Sequence, residues 1–312
     1  MNYKEVRIIF MGTPEFAVAS LQVLVQEGCN IVAVVTAPDK PAGRGMQLTE
    51  SAVKKYAVEQ GLTVLQPEKF KSPLFIEDLK TLRADLQIVV AFRMLPEIVW
   101  NMPPMGTINV HGSLLPQYRG AAPINWAIIN GEKETGVTTF KLKHEIDTGD
   151  ILLQEKMAIG ENENAGEVHD SMKQLGAANL LATLKGLVNN TLAEKPQPMD
   201  AQSLIELKHA PKIFTQTCKI NWEKTVDEIH NLIRGLSPFP GAFTQLNGKM
   251  LKVYSSQKEI VPSATAIGTM VSDGKSFLKY ACSNGFIHLL EIQLEGKKKM
   301  KIQDFLRGHK LY

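Results

Sequence analysis

Short, unbroken apolar runs alternate with polar or helix-patterned segments up to residue 189. Four such runs are VRIIF (6–10), NIVAVVT (30–36), QIVVAF (87–92) and TINVH (107–111). Parallel strands are buried on both faces, so they read as continuous apolar runs, and they need a crossover segment between them. After the first run, Thr13 can cap and Pro14 can start such a crossover helix. The alternation therefore predicts an α/β fold with an open, mostly parallel sheet.

The character of the sequence changes after a long predicted helix at 165–189. Residues 190–207 contain prolines and polar residues with little periodicity, which indicates a linker. A helix at 225–236 follows, and then short alternating runs separated by NGK, SDGK and SNG turns, a pattern typical of a small β-barrel. We therefore predict an α/β domain at 1–189, a linker at 190–207 and a β-barrel domain at 208–312.

Charge is distributed unevenly along the chain. Residues 1–207 carry 19 Lys and Arg against 24 Asp and Glu, a net −5, whereas residues 208–312 carry 16 against 8, a net +8. The two parts add up to the formal charge of +3 for the whole chain. An acidic body with a basic appendage is typical of proteins that bind a polyanion such as nucleic acid, although a modest surplus can also serve solubility.

Several classes of protein do not fit this sequence. No apolar run approaches the ~18 residues that a membrane span needs, and the start MNYKEVRIIF is too short and too acidic for a signal peptide, so we expect a cytoplasmic protein. Cys29, Cys218 and Cys282 are far apart and odd in number. Their spacing predicts neither a disulfide framework nor a metal site.

Two polar residues end the fourth apolar run. Asn109 and His111 are two positions apart, so in a strand their side chains point to the same side, at the carboxyl end where open parallel sheets bind ligands. Asp147 could reach them from the loop KHEIDTGD, although an ordinary turn there and a purely structural pair are the alternatives. A carboxylate that orients an imidazole, with an amide that donates to an oxyanion, suits acyl transfer to an amine. Because the chain has no Ser or Cys nucleophile elbow, we expect direct attack by the acceptor.

The loop PDKPAGRGMQ at 38–47 carries two cations, Lys40 and Arg44. It is too long for a tight connection between a strand and a helix. An arginine between glycines can approach a phosphate or a base closely, and a solvated loop charge is the alternative. Dinucleotide binding is not predicted, because FMGTPEF at 10–16 has one glycine where the fingerprint is GxGxxG.

The segments FMGTPEFAV, TAPDKPAGRG, INVHGSLLPQYRGAAPI, IDTGDILLQ and IRGLSPFPGAF, in this order, closely resemble the bacterial methionyl-tRNA formyltransferases. These belong to the wider family of formyl transferases that use 10-formyltetrahydrofolate. The resemblance covers nearly the whole chain. It implies a Rossmann-like, folate-binding domain of the glycinamide ribonucleotide formyltransferase type and an OB-like C-terminal barrel.

The resemblance also implies an activity in translation initiation. The formyl donor would be 10-formyltetrahydrofolate, which leaves as tetrahydrofolate, and the acceptor would be initiator methionyl-tRNA. No metal is expected, and we expect the protein to be a monomer.

Site residues follow from the same resemblance. Asn109, His111 and Asp147 match the family's catalytic triad, and Arg44 matches the loop residue that is directed at the top of the tRNA acceptor stem. The positions that match the tetrahydrofolate-binding segments are Phe92, Arg93, Met94, Leu95, Ser113, Leu114, Leu115 and Pro116. The residues expected to meet the polyanionic tRNA, in addition to Arg44, are Lys40, Lys297, Lys298 and Lys299.

Arg93 departs from the family pattern, which usually has AYG where this chain has AFR. A positive φ at this position would cost free energy for an arginine, so the folate contacts of residues 92–95 depend on the backbone geometry there. Three other functions share parts of the pattern: the hydrolase portion of 10-formyltetrahydrofolate dehydrogenase, a sugar-nucleotide formyltransferase and a non-catalytic tRNA-binding protein. The PAGRG loop and the basic domain favour a tRNA substrate, and the triad favours an enzyme.

Overall fold

The structure is a computed structural model that describes residues 2–42, 47–197, 207–262 and 264–309. The chain forms two compact units. The N-terminal unit is drawn from Met1–Arg119, Gly136–Met157 and His169–Lys208, and the C-terminal unit from Gly120–Thr135, Ala158–Val168 and His209–Tyr312. The predicted division into 1–189, 190–207 and 208–312 stays a prediction.

A seven-stranded sheet is the framework of the N-terminal unit. The strands up to residue 158 are β1 (Ile8–Gly12), β2 (Ile31–Val35), β3 (Lys40–Ala42), β4 (Gln47–Thr49), β5 (Val64–Leu65), β6 (Leu86–Val90), β7 (Thr107–His111), β8 (Arg119–Gly120), β9 (Glu134–Lys141) and β10 (Ile151–Ala158). The sheet has the order β10-β9-β7-β6-β1-β2-β5, and β3 and β4 form a separate hairpin. In the sheet, the neighbouring strands β5, β2, β1, β6 and β7 all run parallel to one another, whereas β9 runs antiparallel to β7.

Helices connect these strands. They are α1 (Glu15–Gln26), α2 (Ala52–Glu59), α3 (Pro73–Thr81), α4 (Glu97–Trp100), α5 (Pro123–Ile129) and α6 (Ala165–Val188). The expected start of α1 is wrong by one position, because Pro14 is the N-cap and Thr13 lies outside the helix. Every residue of β1 and β6 is buried, as continuous apolar runs require. The prediction of an open, mostly parallel α/β sheet is confirmed.

The C-terminal unit contains an antiparallel sheet with one long helix. Its elements after residue 208 are β11 (His209–Ala210), a 3₁₀ helix (Thr215–Cys218), α7 (Val226–Gly235), β12 (Ala242–Leu246), β13 (Lys249–Ile260), β14 (Met270–Ser272), β15 (Leu278–Cys282), β16 (Gly285–Leu294), β17 (Met300–Lys301) and α8 (Ile302–Gly308). The sheet order is β12-β13-β16-β15-β14, with β17 also paired to β16, and β11 pairs with β8.

Helix α7 explains how this sheet acquires a core. Thr225 and Glu228 form a capping box at its start, which satisfies two backbone donors. Val226, Ile229 and Ile233 then repeat at helical spacing and pack against the buried residues of the sheet. An antiparallel sheet of short strands closed over one helix face confirms the predicted small β-barrel module.

Among the helices that the structure describes, none has both the length and the apolar character needed to cross a bilayer.

Candidate functional site

Asn109 and His111 lie on the last three residues of β7, on one face of the strand. In the parallel register Asn109 is opposite Val89 of β6, and in the antiparallel register His111 is opposite Thr138 of β9. His111 is 6% exposed and Asn109 is half-buried. Within the described residues, no side-chain hydrogen bond is made by Asn109, so its amide is available to a ligand. The predicted pairing of the two side chains is therefore present in the sheet.

The orientation of the His111 ring is set by a backbone carbonyl. Nε2 lies 2.9 Å from the carbonyl oxygen of Tyr118. A carbonyl can only accept, so Nε2 carries the proton and donates it. Nδ1 lies 3.8 Å from Oδ2 of Asp147, which is beyond a hydrogen bond but within the range of an ion pair once the imidazole is protonated. The structure thus brings Asp147 to His111, and Nδ1 is the ring nitrogen that faces the carboxylate.

Asp147 occupies a loop whose backbone has special requirements. Its φ is 55°, in the left-handed region that an aspartate tolerates better than most residues. A Cβ at Gly149 would lie only 1.6 Å from the carbonyl oxygen of Lys141, so the loop can approach β9 this closely only with glycine there. The motif DTGD therefore serves backbone geometry as well as chemistry.

Gln197 holds this loop, and sequence analysis missed it. Its Nε2 donates to the carbonyl oxygens of Asp147 at 2.9 Å and Gly149 at 2.8 Å. Its Oε1 accepts from the guanidinium of Arg119, at 3.1 Å from Nε and 2.6 Å from Nη2. Gln197 is buried although it lies in the segment predicted as a linker. Nothing in its proline-flanked sequence indicates this role, because the partners are 48 or more residues away.

Arg119 adds a positive charge close to Asp147. Burial lowers the pKa of the Arg119 guanidinium, and the carboxylates of Asp147 and Glu145 oppose that shift. A guanidinium keeps its charge under all relevant conditions, so Asp147 faces a permanent cation in addition to His111. Arg119 lies in the segment INVHGSLLPQYRGAAPI, but the sequence did not predict a function for it.

Segment 113–116 is attached to β9 and β10 through two polar side chains. Thr138 Oγ1 donates to the carbonyl oxygen of Ser113 at 2.7 Å and accepts from the amide of Leu115 at 3.1 Å. Gln154 Nε2 donates to the carbonyl oxygen of Leu115 at 2.9 Å. Ser113 and Leu115 are buried, whereas the intervening residue and Pro116 are half-buried. Of residues 113–116 in the expected folate site, Leu114 and Pro116 are therefore the ones whose side chains are accessible to a ligand.

The guanidinium of Arg93 is held by the segment that follows β5, in the loop before α3. It donates to the carbonyl oxygens of Pro67 and Glu68 and lies 4.1 Å over the ring of Phe70. The positive φ in this segment belongs to Ala91, at 47°, so Arg93 does not bear the backbone strain that a positive φ would cause there. Phe92 is half-buried, Leu95 is buried and Met94 is 72% exposed. The folate contacts of residues 92–95 stay a prediction.

The expected tRNA-binding residues are spread over both units. Lys40 starts the hairpin of β3 and β4, and Arg44 lies outside the described residues. Lys54 on α2 holds both ends of this hairpin, since its Nζ donates to Asp39 and lies 3.0 Å from Oε1 of Glu50. In the C-terminal unit Lys297, Lys298 and Lys299 are exposed, as are several other lysines of that unit.

One grouping of possible metal ligands occurs among the described residues, formed by Glu15, His169 and Asp170. Lys173 Nζ already occupies it, at 2.7 Å from Glu15 Oε1 and 3.0 Å from Asp170 Oδ1. The cluster is exposed and its charge is compensated, so it does not have the character of a metal centre.

Known proteins and family models match this chain over nearly its whole length. Residues 6–184 match the family described as formyl transferase, and residues 212–310 match its C-terminal domain. A protein of Bacteroides thetaiotaomicron named methionyl-tRNA formyltransferase is 49% identical over 100% of this chain and 98% of its own length. A protein of the same name from Parabacteroides distasonis is 52% identical over 99% of this chain and 98% of its own.

Solved structures show the same fold. A sugar 3N-formyl transferase structure covers 94% of this chain and 99% of its own, with a TM-score of 0.67 and 20% identity. HypX from Aquifex aeolicus in complex with tetrahydrofolic acid covers 97% of this chain with a TM-score of 0.64 and 17% identity, and this chain covers 48% of it.

Proposed function

The chain belongs to the formyl transferase family, and on that premise we propose that it transfers the formyl group of 10-formyltetrahydrofolate to the α-amino group of methionyl initiator tRNA. The product is N-formylmethionyl-tRNA, which starts translation, so the site of action is the cytoplasm. The observation that carries the proposal is the contact of His111 with Asp147 beside the available amide of Asn109, in a chain 49–52% identical to full-length relatives of that name.

The described residues fit a folate donor. Met94, Leu114 and Pro116 offer apolar side-chain surface near the end of the central strands, where open α/β sheets bind ligands. Phe92 is half-buried, and its ring centroid lies 5.7 Å from that of Phe70. Bound there, 10-formyltetrahydrofolate supplies an activated formyl group on its N10 nitrogen. Its flat pterin ring matches an apolar wall that is held in place from behind by Thr138.

The three polar side chains have separate tasks in the transfer. The neutral α-amine attacks the formyl carbon, and Asn109 donates its amide hydrogen to the oxygen that becomes negative. The imidazolium form of His111 stabilises the same charge through space, since Nε2 donates to the Tyr118 carbonyl and Nδ1 faces Asp147. Asp147 stabilises that imidazolium and helps a water accept the proton from the attacking amine. The bond from the formyl carbon to N10 then breaks, and N10 takes up a proton, so that tetrahydrofolate leaves.

Substrate binding is spread over a large polyanion. The positive surplus of residues 208–312 attracts phosphates without reading sequence, and the exposed lysines Lys297, Lys298 and Lys299 are part of it. Lys40 begins strand β3 of the hairpin, and we assign to Arg44, which lies outside the described residues, discrimination near the acceptor end. Since phosphate contacts release counterions, tRNA affinity falls steeply as salt rises.

The test is formylation of charged initiator tRNA with 10-formyltetrahydrofolate by the full chain. Asn109→Ala loses an oxyanion donor, so kcat falls by about 10²–10³, or ~2.7–4 kcal/mol of barrier. Asn101→Ala, at an exposed asparagine after α4, serves as the matched control and retains kcat.

Three results contradict the proposal. Formate release without an acceptor, in place of tRNA formylation, identifies a hydrolase. RNA binding with no turnover identifies a binding protein. Normal kcat in a folded Asn109→Ala variant removes the assigned role of the amide.

A further inference from the structure

Phe239 is a large apolar side chain that stands in solvent on a well-held backbone. It is 81% exposed, in the segment SPFPG at 237–241. The carbonyl oxygen of Ser237 accepts a hydrogen bond from the amide of Gly166 at 3.1 Å. Lys252 Nζ donates to the carbonyl oxygen of Pro240 at 2.8 Å. The backbone of the C-terminal unit is therefore held both before and after Phe239.

The outer face of the C-terminal sheet adjoins the segment that carries this ring. Lys252 and Tyr254 alternate along β13 with buried residues, so both side chains face away from the core. Lys252 is opposite Gln293 of β16, and the Tyr254 hydroxyl donates to Gln293 Oε1 at 2.8 Å. A Cβ at Gly241 would lie 3.1 Å from Cε1 of Tyr254, so the end of the Phe239 segment lies against this face.

Positive charge is concentrated on the stretches of chain that border this face. The start of β13 pairs with the end of β16, Leu251 being opposite Leu294, which brings the first residues of β13 beside the turn after β16. Six of the 16 basic residues beyond 207 lie on these stretches: Lys249, Lys252, Lys297, Lys298, Lys299 and Lys301. The acidic residues there are Glu291, which lies 2.6 Å from Lys299 Nζ, and Glu295. Lys299 Nζ also lies 4.9 Å over the Tyr254 ring.

We propose that Phe239, together with Lys252, Tyr254 and Lys299, forms a subsite for an unpaired nucleotide of the RNA substrate. The phenyl ring stacks on the base, and the lysines contact the flanking phosphates. This inference rests on the proposed function, because it takes the acceptor tRNA as the RNA.

The chemistry of the face selects this occupant. An exposed aromatic ring beside lysines is the combination by which proteins bind single-stranded nucleic acid, since every base has a flat face and every linkage a charge. A base inside a duplex is covered by its neighbours, so only an unpaired nucleotide offers that face. A polyanion also neutralises six clustered lysines, which an apolar protein surface would leave desolvated.

The experiment measures tRNA affinity of the full chain over a series of salt concentrations. Phe239→Ala raises Kd by about 5- to 100-fold, the usual effect of removing a stacking ring, and leaves the slope of log Kd against log salt unchanged. Phe239→Leu, which keeps apolar bulk without an aromatic face, weakens binding as well, whereas Phe239→Trp retains it. Lys299→Met lowers the slope by somewhat less than one, because it removes one phosphate contact.

Ile260→Ala is the control, since Ile260 is also a large exposed apolar residue of the C-terminal unit, at 64%, but has no aromatic face. Wild-type affinity and kcat/KM in Phe239→Ala would overturn the subsite. So would a change in oligomeric state without a change in tRNA affinity, which would make the face a contact between copies. Wild-type enzyme that binds tRNA with this Phe239 dependence but does not formylate it would overturn the proposed function instead, and would leave the subsite standing.

Discussion

Replacing Gln197 by methionine keeps the volume of a buried side chain but removes four hydrogen bonds. Two of them hold the carbonyl groups of Asp147 and Gly149, and two hold the guanidinium of Arg119. Each neutral bond contributes about 0.5–1.5 kcal/mol net, and bonds to a charged group about 1.5–3. Gln197 is only 4% exposed, so water replaces few of them. Two bonds of each kind give a total loss of ~4–9 kcal/mol, and we expect it to be concentrated in the Asp147 loop.

Two measurements separate loss of stability from loss of position. Differential scanning calorimetry of Gln197→Met should show a lower Tm, by ~2–4 °C per kcal/mol that reaches the global transition. Steady-state formylation should show kcat reduced at least tenfold with an unchanged KM for tRNA, because Asp147 no longer stays near His111.

Gln197→Glu separates the two halves of the network. Its carboxylate still accepts from Arg119, but it presents an oxygen to the carbonyl groups of Asp147 and Gly149, which cannot donate. It should therefore lose kcat as Gln197→Met does while retaining more of the Tm. A Gln197→Met enzyme with normal kcat, or hydrogen exchange at 145–150 as slow as in the wild type, would refute the argument that this side chain positions the loop.

Two further predictions concern charged groups. Lys54→Met frees both ends of the β3–β4 hairpin, so KM for tRNA should rise several-fold. Tm should fall only modestly, since surface ion pairs contribute about 0.2–1 kcal/mol each and only Lys54 and Asp39 of this set are half-buried. An equal effect of Lys55→Met, on the exposed neighbouring lysine, would contradict this. Burial, and then the charges of Lys258 and Arg234, lower the pKa of His230 from its usual 6.5 to about 4. The unfolded chain therefore takes up a proton before the folded one, and stability should fall by ~3 kcal/mol in total as pH drops from 6.5 to 4. Denaturant titrations between pH 6.5 and 4 should show that the free energy of unfolding depends less on pH in His230→Gln than in the wild type. The same pH dependence in both proteins would refute the role given to His230.

Local patterns were sufficient for much of the fold. The run TINVH predicted a strand over the residues that β7 occupies, and helix α6 was predicted to within one residue of its observed end. The alternation of Asn109 and His111 also follows from the strand period of two, so their shared face required no tertiary information. Burial on both sides of the sheet makes such runs apolar throughout, which is why they are readable.

Long-range contacts could not be predicted from the sequence in the same way. The side chain of Arg93 could have faced the ligand or the loop before α3, and only the packing of Phe70 under its guanidinium selects the loop. Gln197 lies in a stretch with linker composition, yet it makes the hydrogen bonds that hold the Asp147 loop.

The sequence by itself determined the order and type of the elements, the charge division between the two parts of the chain and the identity of the polar residues at the strand end. These depend on periodicity and composition, which act over a few neighbouring residues. Tertiary structure alone decided that Asp147 lies 3.8 Å from His111, that Tyr118 orients the imidazole and that Gln197 holds the Asp147 loop. Each of those contacts with the loop joins residues 36 or more positions apart, and no local pattern encodes a partner that only the folded chain brings near.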